Sequence, residues 1–352
     1  MHPYKSLPER QFWSKAVSTN FDPADVGTFR RPLIRPGEKV MSAGSCFASR
    51  LVPYLEKSGF EYVKTSSRHP HFLNIGAENL GYETFSAPYG NIYTARHLLQ
   101  LAQRCVGKFS PQEDRWHCDG AVIDPFRPGL RFFARSDREF DLLTKSYLGA
   151  VLAALQACDV FIFTLGLTEA WRSKLDGAVY PACPGTVAGT FDAARHELVN
   201  LSAADVANDL NSFVDELREV NPKARVILTV SPVPMIATAT HNHVLAATSY
   251  TKSVLRVAAE QAACQNEEVF YFPFYEIVTG PQAPKNLFEQ DFRSISPEAL
   301  EMVMSIFFAS CEVGEPVRVE ASPVSEGLST SGLVDLSSRL SALECEEAAQ
   351  DQ

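Results

Sequence analysis

Residues 39–52 read KVMSAGSCFASRLV, and two different hydrophobic patterns meet within them. Its first five residues, Lys39–Ala43, form a short run typical of a buried strand. Beyond Gly44 the apolar side chains recur at helical spacing: Phe47, Leu51, Val52 and Leu55. Residues at this spacing lie on one face of a helix. The stretch therefore predicts a strand that turns at Gly44 directly into a helix.

The same alternation of strand and helix continues along the chain. Ser202 with Asp205 resembles a capping box, and Ser296 precedes a proline at the first helical position, so two helix starts are well marked. Strands that alternate with helices predict a parallel sheet covered by helices on both faces. Four further runs rich in β-branched or aromatic residues predict the remaining strands: Phe60–Val63, Val160–Thr164, Arg225–Val230 and Val269–Phe272.

Three segments depart from this alternation. Residues 1–37 contain five prolines and are interpreted as an irregular lead-in to one α/β domain over residues 38–312. Insertions at about 113–133 and 171–190 are rich in Gly, Pro and aromatic residues, which is typical of hairpins or long loops. We expect both insertions near the carboxyl ends of strands, where open α/β sheets bind ligands.

Residues 315–352 are expected to form a mobile acidic tail rich in serine. They hold eight acidic and two basic residues, so −6 of the net charge of −10 lies there. Four leucines in the tail are spaced by three or four residues: Leu333, Leu336, Leu340 and Leu343. They belong either to a frayed terminus or to a short helix that docks on a protein partner.

The composition of the 352 residues excludes several classes of protein. Hydrophobic residues make up 45% and charged residues 21%, as in a globular protein. The negative net charge argues against a nucleic-acid binder, because phosphate contacts need clustered Lys and Arg. The eight cysteines form no CxxC pair, so no metal site is predicted. With no apolar run of membrane-spanning length and no secretory signal, we expect a cytoplasmic protein with reduced thiols.

The turn after the first predicted strand is the first candidate for chemistry. Ser45 and Cys46 follow this strand, at the edge of the sheet and at a helix N-terminus. This location favours a thiolate and aims a backbone N–H at a reacting atom. Alternatively, the turn is only structural, and Ser45 is the N-cap of the helix.

Five stretches in order along the chain resemble one known family. They are Gly44-Ser-Cys-Phe-Ala48, Tyr89-Gly-Asn-Ile-Tyr-Thr94, Thr164-Leu-Gly-Leu-Thr-Glu-Ala-Trp171, Thr229-Val-Ser-Pro-Val-Pro234 and Tyr250-Thr-Lys-Ser-Val-Leu-Arg256. Over about residues 35–310 the sequence is identified as a member of the GSCFA family, a branch that resembles the SGNH (GDSL-like) hydrolases. The resemblance implies a flavodoxin-like three-layer α/β/α sandwich, in agreement with the alternation of strands and helices.

The SGNH pattern implies where the nucleophile lies. Its first block, Gly-Asp-Ser-Leu, aligns without a gap with residues 44–47. The nucleophile position then falls on Cys46, and a thiol at a helix N-terminus is a competent nucleophile. A shift of one residue would place the nucleophile at Ser45 instead.

The resemblance also implies donors for the oxyanion. The second SGNH block donates an N–H from a glycine, which implies Gly90, followed here by Asn91. The third block, Gly-x-Asn-Asp, aligns with Gly166-Leu-Thr168-Glu169. Thr168 therefore replaces the donor asparagine, and its hydroxyl has a shorter reach.

The last SGNH block carries the catalytic histidine, and here the sequence departs from the pattern. The stretch in register is Asp291-Phe-Arg-Ser294, and a serine cannot act as a base near pH 7. His243, which follows the predicted strand Arg225–Val230 by a loop, is our substitute base, with Glu169 to orient its imidazole. Alternatively, His243 caps the next helix.

Three basic residues and one aromatic residue are candidates for substrate binding. Lys252 and Arg256 lie four apart on one predicted helix and form either a solvated face or a site for an anionic group. Arg293 offers a guanidinium where the histidine is missing. Trp171 flanks the second insertion, where its ring either stacks on a sugar or closes a core.

Together these residues predict an acyl-ester enzyme, either an esterase or an O-acyltransferase, that acts on a carbohydrate or polyol through a covalent acyl-enzyme. No cofactor is required, although acyl-coenzyme A is a candidate donor, with its phosphates near Lys252 and Arg256. The alternative is a protein that keeps the sandwich and the cleft but has lost turnover, and that binds glycans or serves as a scaffold.

Overall fold

The computed structural model describes residues 2–19, 21–27, 29–65, 84–118, 120–127, 130 and 134–312. The tail with its four leucines lies outside the described residues, as does part of the first insertion. The described strands are β1 (Lys39–Gly44), β2 (Glu61–Tyr62), β3 (Trp116–Cys118), β4 (Ala121–Ile123), β5 (Val160–Leu165), β6 (Glu169–Ser173), β7 (Val179–Tyr180), β8 (His196–Asn200), β9 (Arg225–Val230) and β10 (Val269–Tyr271).

The described α-helices are α1 (Pro23–Val26), α2 (Cys46–Ser49), α3 (Val52–Lys57), α4 (Ala95–Cys105), α5 (Asp137–Ala157), α6 (Ala203–Val220), α7 (Val244–Gln265), α8 (Phe274–Thr279) and α9 (Pro297–Ala309). Short 3-10 and π turns in the lead-in precede them: Pro3–Ser6, Glu9–Gln11 and Ser14–Thr19. No described helix combines the length and the apolar composition that a bilayer crossing requires.

A five-stranded parallel sheet forms the centre of the molecule, in the order β10-β9-β5-β1-β2. If these five strands are numbered 1 to 5 along the chain, their order across the sheet is 2-1-3-4-5, as in the flavodoxin-like folds. In this order the second strand lies on one side of the first, and the remaining strands lie on the other side. The predicted flavodoxin-like α/β/α sandwich is confirmed. All five predicted strands are present, although β2 and β10 are shorter than the sequence runs that predicted them.

Helices cover both faces of this sheet, because its strands are apolar on both sides. Met41, Phe161 and Leu228 face one side and pack in a core with residues of α4, α5, α6 and α7. Val40 and Ile162 face the other side and pack with residues of α2, α3, α8 and α9. The sheet and its two helical layers are held together by these two cores, in which a fully buried large apolar side chain contributes about 1.5–3 kcal/mol.

The two insertions form small antiparallel sheets. β3 and β4 make a hairpin, and β6 pairs with both β7 and β8. Since β5 ends at Leu165 and β6 begins at Glu169, the second of these sheets extends from the carboxyl end of β5. Trp116, Phe126 and Tyr180 pack together and join the two insertions.

The helix predicted after Gly44 is divided into two short ones, which corrects the expectation of one continuous helix. α2 ends at Ser49, and α3 begins at Val52. Pro53 has no N–H, and its ring would clash with the carbonyl group of Ser49 in a continuous helix. The predicted apolar face stays buried. Phe47, Leu51 and Leu55 pack in the core that contains α8 and α9, whereas Val52 packs in the core on the other side.

The turn between β1 and α2 requires a glycine at residue 44. Its φ is +153°, and a Cβ atom there would lie 2.7 Å from the Cβ of Ala48 and 2.9 Å from the carbonyl oxygen of Thr164. The carbonyl oxygen of Gly44 also accepts the N–H of Ile92 at 2.8 Å. Only a residue without a side chain permits β1, α2 and β5 to approach each other this closely.

Gly44→Ala is expected to lower the free energy of unfolding by about 1–3 kcal/mol, because the added methyl group meets backbone that cannot rotate away. The matched control is Gly149→Ala in α5, where a Cβ meets nothing within 4 Å. That substitution is expected to be neutral or to stabilise the helix by up to about 1 kcal/mol. Urea unfolding measures both, and equal midpoints for the two variants would contradict the argument.

Stability is expected to fall as the pH falls from 6.5 to 4. Burial, assisted by the nearby charge of Arg104, lowers the pKa of His97 to about 4. The folded protein then binds fewer protons at this residue than the unfolded chain does, so the free energy of unfolding decreases with falling pH by up to about 1.4 kcal/mol per pH unit. In urea titrations His97→Leu should flatten this slope, whereas a change at the exposed His241, His241→Gln, should not.

Candidate functional site

A cavity lies at the carboxyl ends of β1, β5 and β9, with an empty volume of about 260 Å³, part of which is open to solvent. In an open α/β sheet, ligands bind at such strand ends, where the order of strands reverses. Three strand ends line it, through Ser45 and Cys46 after β1, Gly166 and Leu167 after β5, and Ser231, Val233 and Pro234 after β9. Tyr93, Lys252 and Arg293 complete the lining.

Ser45 and Cys46 both line the cavity, as the strand-to-helix turn predicts. Ser45 is buried, and its side chain makes no capping hydrogen bond to α2, so it occupies the N-cap position without the hydrogen bond of an N-cap. Cys46 is half-buried and is the first residue of α2. The turn therefore presents a thiol and a hydroxyl side by side to the same space.

Lys252 is buried in the wall of the cavity. Only 1% of the residue is exposed, and its Nζ donates a hydrogen bond of 2.9 Å to the carbonyl oxygen of Gly166. The expectation of a solvated face at this position of α7 is therefore wrong. The fold brings this amine, from the last third of the sequence, to the cavity that contains the Cys46 thiol.

The loop before α9 presents Arg293 to the cavity. Its Nε donates to the carbonyl oxygen of Pro234 at 3.1 Å. Ser294, at the position of the missing histidine, donates its hydroxyl to Asp291 Oδ2 at 2.6 Å. Burial alone would raise the pKa of Asp291, but hydrogen bonds from Ser294 and Arg293 lower it below the usual range. The Asp291 carboxylate thus orders the loop that carries the guanidinium.

The predicted oxyanion donors lie elsewhere. Thr168 is fully buried, and its hydroxyl is hydrogen-bonded to Asn200 Oδ1 at 2.6 Å and to Thr251 Oγ1 at 2.9 Å. Gly90 has a φ of +68° and faces Arg127, and neither it nor Asn91 lines the cavity. Of the predicted group, only Gly166 borders it, and there its carbonyl oxygen is occupied by Lys252.

The predicted pair of His243 and Glu169 is not formed. His243 is exposed and caps α7, since its Nδ1 accepts the N–H of Leu245 at 3.2 Å. The Glu169 carboxylate accepts the hydroxyl of Thr238 at 2.6 Å and the N–H of Ala239 at 3.1 Å. Glu169 therefore fixes the loop after β9, and among the described residues that line the cavity there is no histidine.

Arg256 and Trp171 also lie away from the cavity. The guanidinium of Arg256 pairs with Glu276 at 2.6 Å and with Glu260 at 2.7 Å, so it forms no common anion site with Lys252. Trp171 lies on β6 and packs edge-on against the ring of Phe191. Its role is to close the core of the second insertion.

Four of the other thiols lie in surroundings that differ from those of Cys46. Burial raises the pKa of Cys105, Cys158 and Cys311 to about 12 and that of Cys183 to about 11. These thiols are therefore protonated near neutral pH. Cys46 instead shares its cavity with two basic side chains, an environment that favours a reactive thiolate.

Sequence reasoning did not single out Tyr93, Ser231 or Pro234 as site residues, although all three line the cavity. Each lies in a stretch that carries the family resemblance: Tyr93 two residues before α4, Ser231 one residue after β9, and Pro234 four residues after β9. The position of Ser231, one residue beyond β9, was the available signal, because it lies level with the ends of β1 and β5.

His243→Ala is expected to leave the rate of iodoacetamide labelling at Cys46 unchanged, because His243 makes a helix cap outside the cavity. The lost cap should lower the free energy of unfolding by about 0.5–2 kcal/mol. Ser202→Ala is the matched control, since Ser202 caps α6 in the same way. Peptide mapping by mass spectrometry measures the labelling, and a tenfold slower reaction of Cys46 in His243→Ala alone would restore His243 as its activator.

Comparisons with known proteins identify the family. A crystal structure of a carbohydrate esterase family 3 protein from Talaromyces cellulolyticus is 10% identical, with a TM-score of 0.34 over 77% of this chain and 95% of that one. An acetyl xylan esterase from the rumen bacterium Butyrivibrio proteoclasticus is 11% identical, with a TM-score of 0.30 over 78% and 63%. Scores at this level carry no functional inference, and no curated protein matches the sequence significantly. The sequence profile of the GSCFA family matches residues 39–307, and the chain therefore belongs to the GSCFA family.

Proposed function

We propose that this protein is an acyl-ester enzyme, an esterase or an O-acyltransferase, that holds the acyl group as a thioester on Cys46. The observation that carries the proposal is the cavity at the ends of β1, β5 and β9, which joins a thiol, a neighbouring hydroxyl and two basic side chains. The nucleophile and the two basic side chains come to the cavity from three separate parts of the chain: the turn after β1, helix α7 and the loop before α9. The acyl acceptor we propose is a carbohydrate or a related polyol, and a thiol nucleophile agrees with the cytoplasmic location expected from the sequence.

The arrangement supports nucleophilic acyl transfer in two steps. The Cys46 thiolate attacks the ester carbonyl, and the leaving alcohol departs with a proton to give a thioester. Water then hydrolyses the thioester, or an acceptor hydroxyl takes the acyl group. Negative charge develops on the carbonyl oxygen in both steps, and the N–H of Cys46 at the start of α2 and the guanidinium of Arg293 are the donors we assign to it.

The acyl donor is either an ester or acyl-coenzyme A. For the latter, the fold removes the predicted phosphate site at Lys252 and Arg256, because one side chain is buried and the other is paired with two carboxylates. Arg293 is the cation at the cavity that we propose instead. No further cofactor takes part in the proposed reaction.

A glycan-binding protein without turnover is the second candidate. The observation that favours it is Ser294, which stands at the position of the SGNH histidine and is hydrogen-bonded to Asp291. A cavity that binds but does not react would hold its ligand without a covalent adduct. The mass of the protein after incubation with an activated ester therefore distinguishes the two functions.

Brief incubation with p-nitrophenyl acetate, followed by an acid quench, is expected to give one acetyl adduct on the peptide that contains residues 44–48. Cys46→Ala should abolish the adduct, whereas Ser45→Ala should retain it. Hydroxylamine at neutral pH should remove it, since thioesters are more sensitive to this reagent than oxyesters. A folded wild-type sample without an adduct would favour the glycan-binding function, and an adduct that survives Cys46→Ala would assign the nucleophile to Ser45.

A further inference from the structure

We propose that Lys252 is the proton-transfer group of this site, which accepts the proton of the Cys46 thiol and returns it to the leaving alcohol. The inference rests on the proposed function, and it names the base that the absent SGNH histidine leaves unassigned. It makes Lys252 a catalytic residue rather than a binding residue.

The first argument is elimination within the cavity. Its described lining contains no histidine, aspartate or glutamate. The hydroxyl groups of Ser45, Tyr93 and Ser231 are poor bases near neutral pH, and the guanidinium of Arg293 does not give up its proton in proteins. Among the described lining residues, the amine of Lys252 is therefore the side chain that can exchange a proton with the thiol.

The second argument is burial. Lysine side chains are almost never fully buried without a specific reason, since removing an ammonium from water is costly. Lys252 is 1% exposed, whereas Arg256, one turn further along α7, reaches two carboxylates near the surface. Helix α7 thus carries one basic side chain, Lys252, in the interior and another, Arg256, near the surface. The buried position suits a group that alternates between amine and ammonium, which a lysine can do and an arginine cannot.

The third argument is positioning. The hydrogen bond of 2.9 Å from Lys252 Nζ to the carbonyl oxygen of Gly166 holds the amine beside the end of β5. Its neighbour Thr251 is fully buried and is hydrogen-bonded to Thr168, just beyond β5. Two consecutive residues of α7 therefore fix this helix to the same strand end. Catalytic groups need such fixed placement, because small displacements cost much of the rate.

The proton count balances over the cycle. Lys252 takes the proton of the Cys46 thiol, and the thiolate forms a C–S bond to the acyl carbon. Collapse of the intermediate breaks the C–O bond, and the departing alkoxide takes the proton from the ammonium. In the second step the amine takes a proton from water or from the acceptor hydroxyl, the C–S bond breaks, and the proton returns to the sulfur. No oxidant or other co-reactant is needed.

The test follows formation of the acetyl adduct on Cys46 from p-nitrophenyl acetate as a function of pH. Lys252→Met is expected to slow acylation by about 10²–10⁴-fold, the usual contribution of a positioned base. Lys252→Arg keeps the charge and most of the length but should be as slow, because a guanidinium stays protonated. Added primary amines should restore acylation of Lys252→Ala, and more basic amines should restore it further. Lys145→Met, at an exposed lysine of α5, is the control for loss of one charge.

The outcomes separate the two proposals. Absence of an adduct in the folded wild-type protein overturns the proposed function and this inference with it. An adduct that forms at the wild-type rate in folded Lys252→Met or Lys252→Arg overturns the assignment of the base and leaves the acyl-enzyme standing. If Lys252→Met does not fold, the acylation rate of Lys252→Arg tests the assignment of the base, since an arginine can keep the hydrogen bond to Gly166. A merely structural lysine would show no rescue by amines and no change in the pH profile.

Discussion

The close approach of β1, α2 and β5 at Gly44 sets the geometry of the sheet edge at which the cavity lies. A side chain there would meet both Ala48 and the backbone of Thr164. Because β1 and β5 pair in parallel up to Gly44 and Thr164, their ends lie level. The residues that follow, Cys46 and Gly166, therefore reach one cavity. The tight turn thus fixes the packing of these three elements and places Cys46 at the cavity.

The loop before α9 departs from the SGNH pattern at the position of the histidine. Asp291 no longer precedes a histidine by three residues, but its carboxylate still organises the loop before α9, through Ser294. That loop presents Arg293 instead of an imidazole. Helix α7 supplies the buried side chain of Lys252. The basic side chains of the cavity therefore come from elements outside the sheet rather than from its strands.

Two side chains predicted for the site, Glu169 and Thr168, instead hold together the segments that line the cavity. Glu169 ties the loop after β9 to the start of β6, and this loop contains Val233 and Pro234 of the lining. Thr168, which lies between β5 and β6, is hydrogen-bonded to Thr251 of α7. These contacts explain why polar residues cluster in the stretch after β5 without touching the cavity. They fix the segment after β5 relative to the loop after β9 and to helix α7.

Five features could be predicted from the sequence alone: the five strands of the parallel sheet, helices α6, α7 and α9, the caps of α6 and α9, the sandwich, and the turn with Ser45 and Cys46. Those features depend on periodicity and on neighbours a few residues apart, which the sequence displays directly. Which polar side chains contact each other could be learned only from the tertiary structure. Lys252 and Gly166 are 86 residues apart, and the same helical spacing fits a solvated or a buried lysine. His243 likewise fits a base or a cap, and its contact with Leu245 decided for the cap. The partner of a side chain depends on which distant segments pack together, and the local sequence pattern does not contain that information.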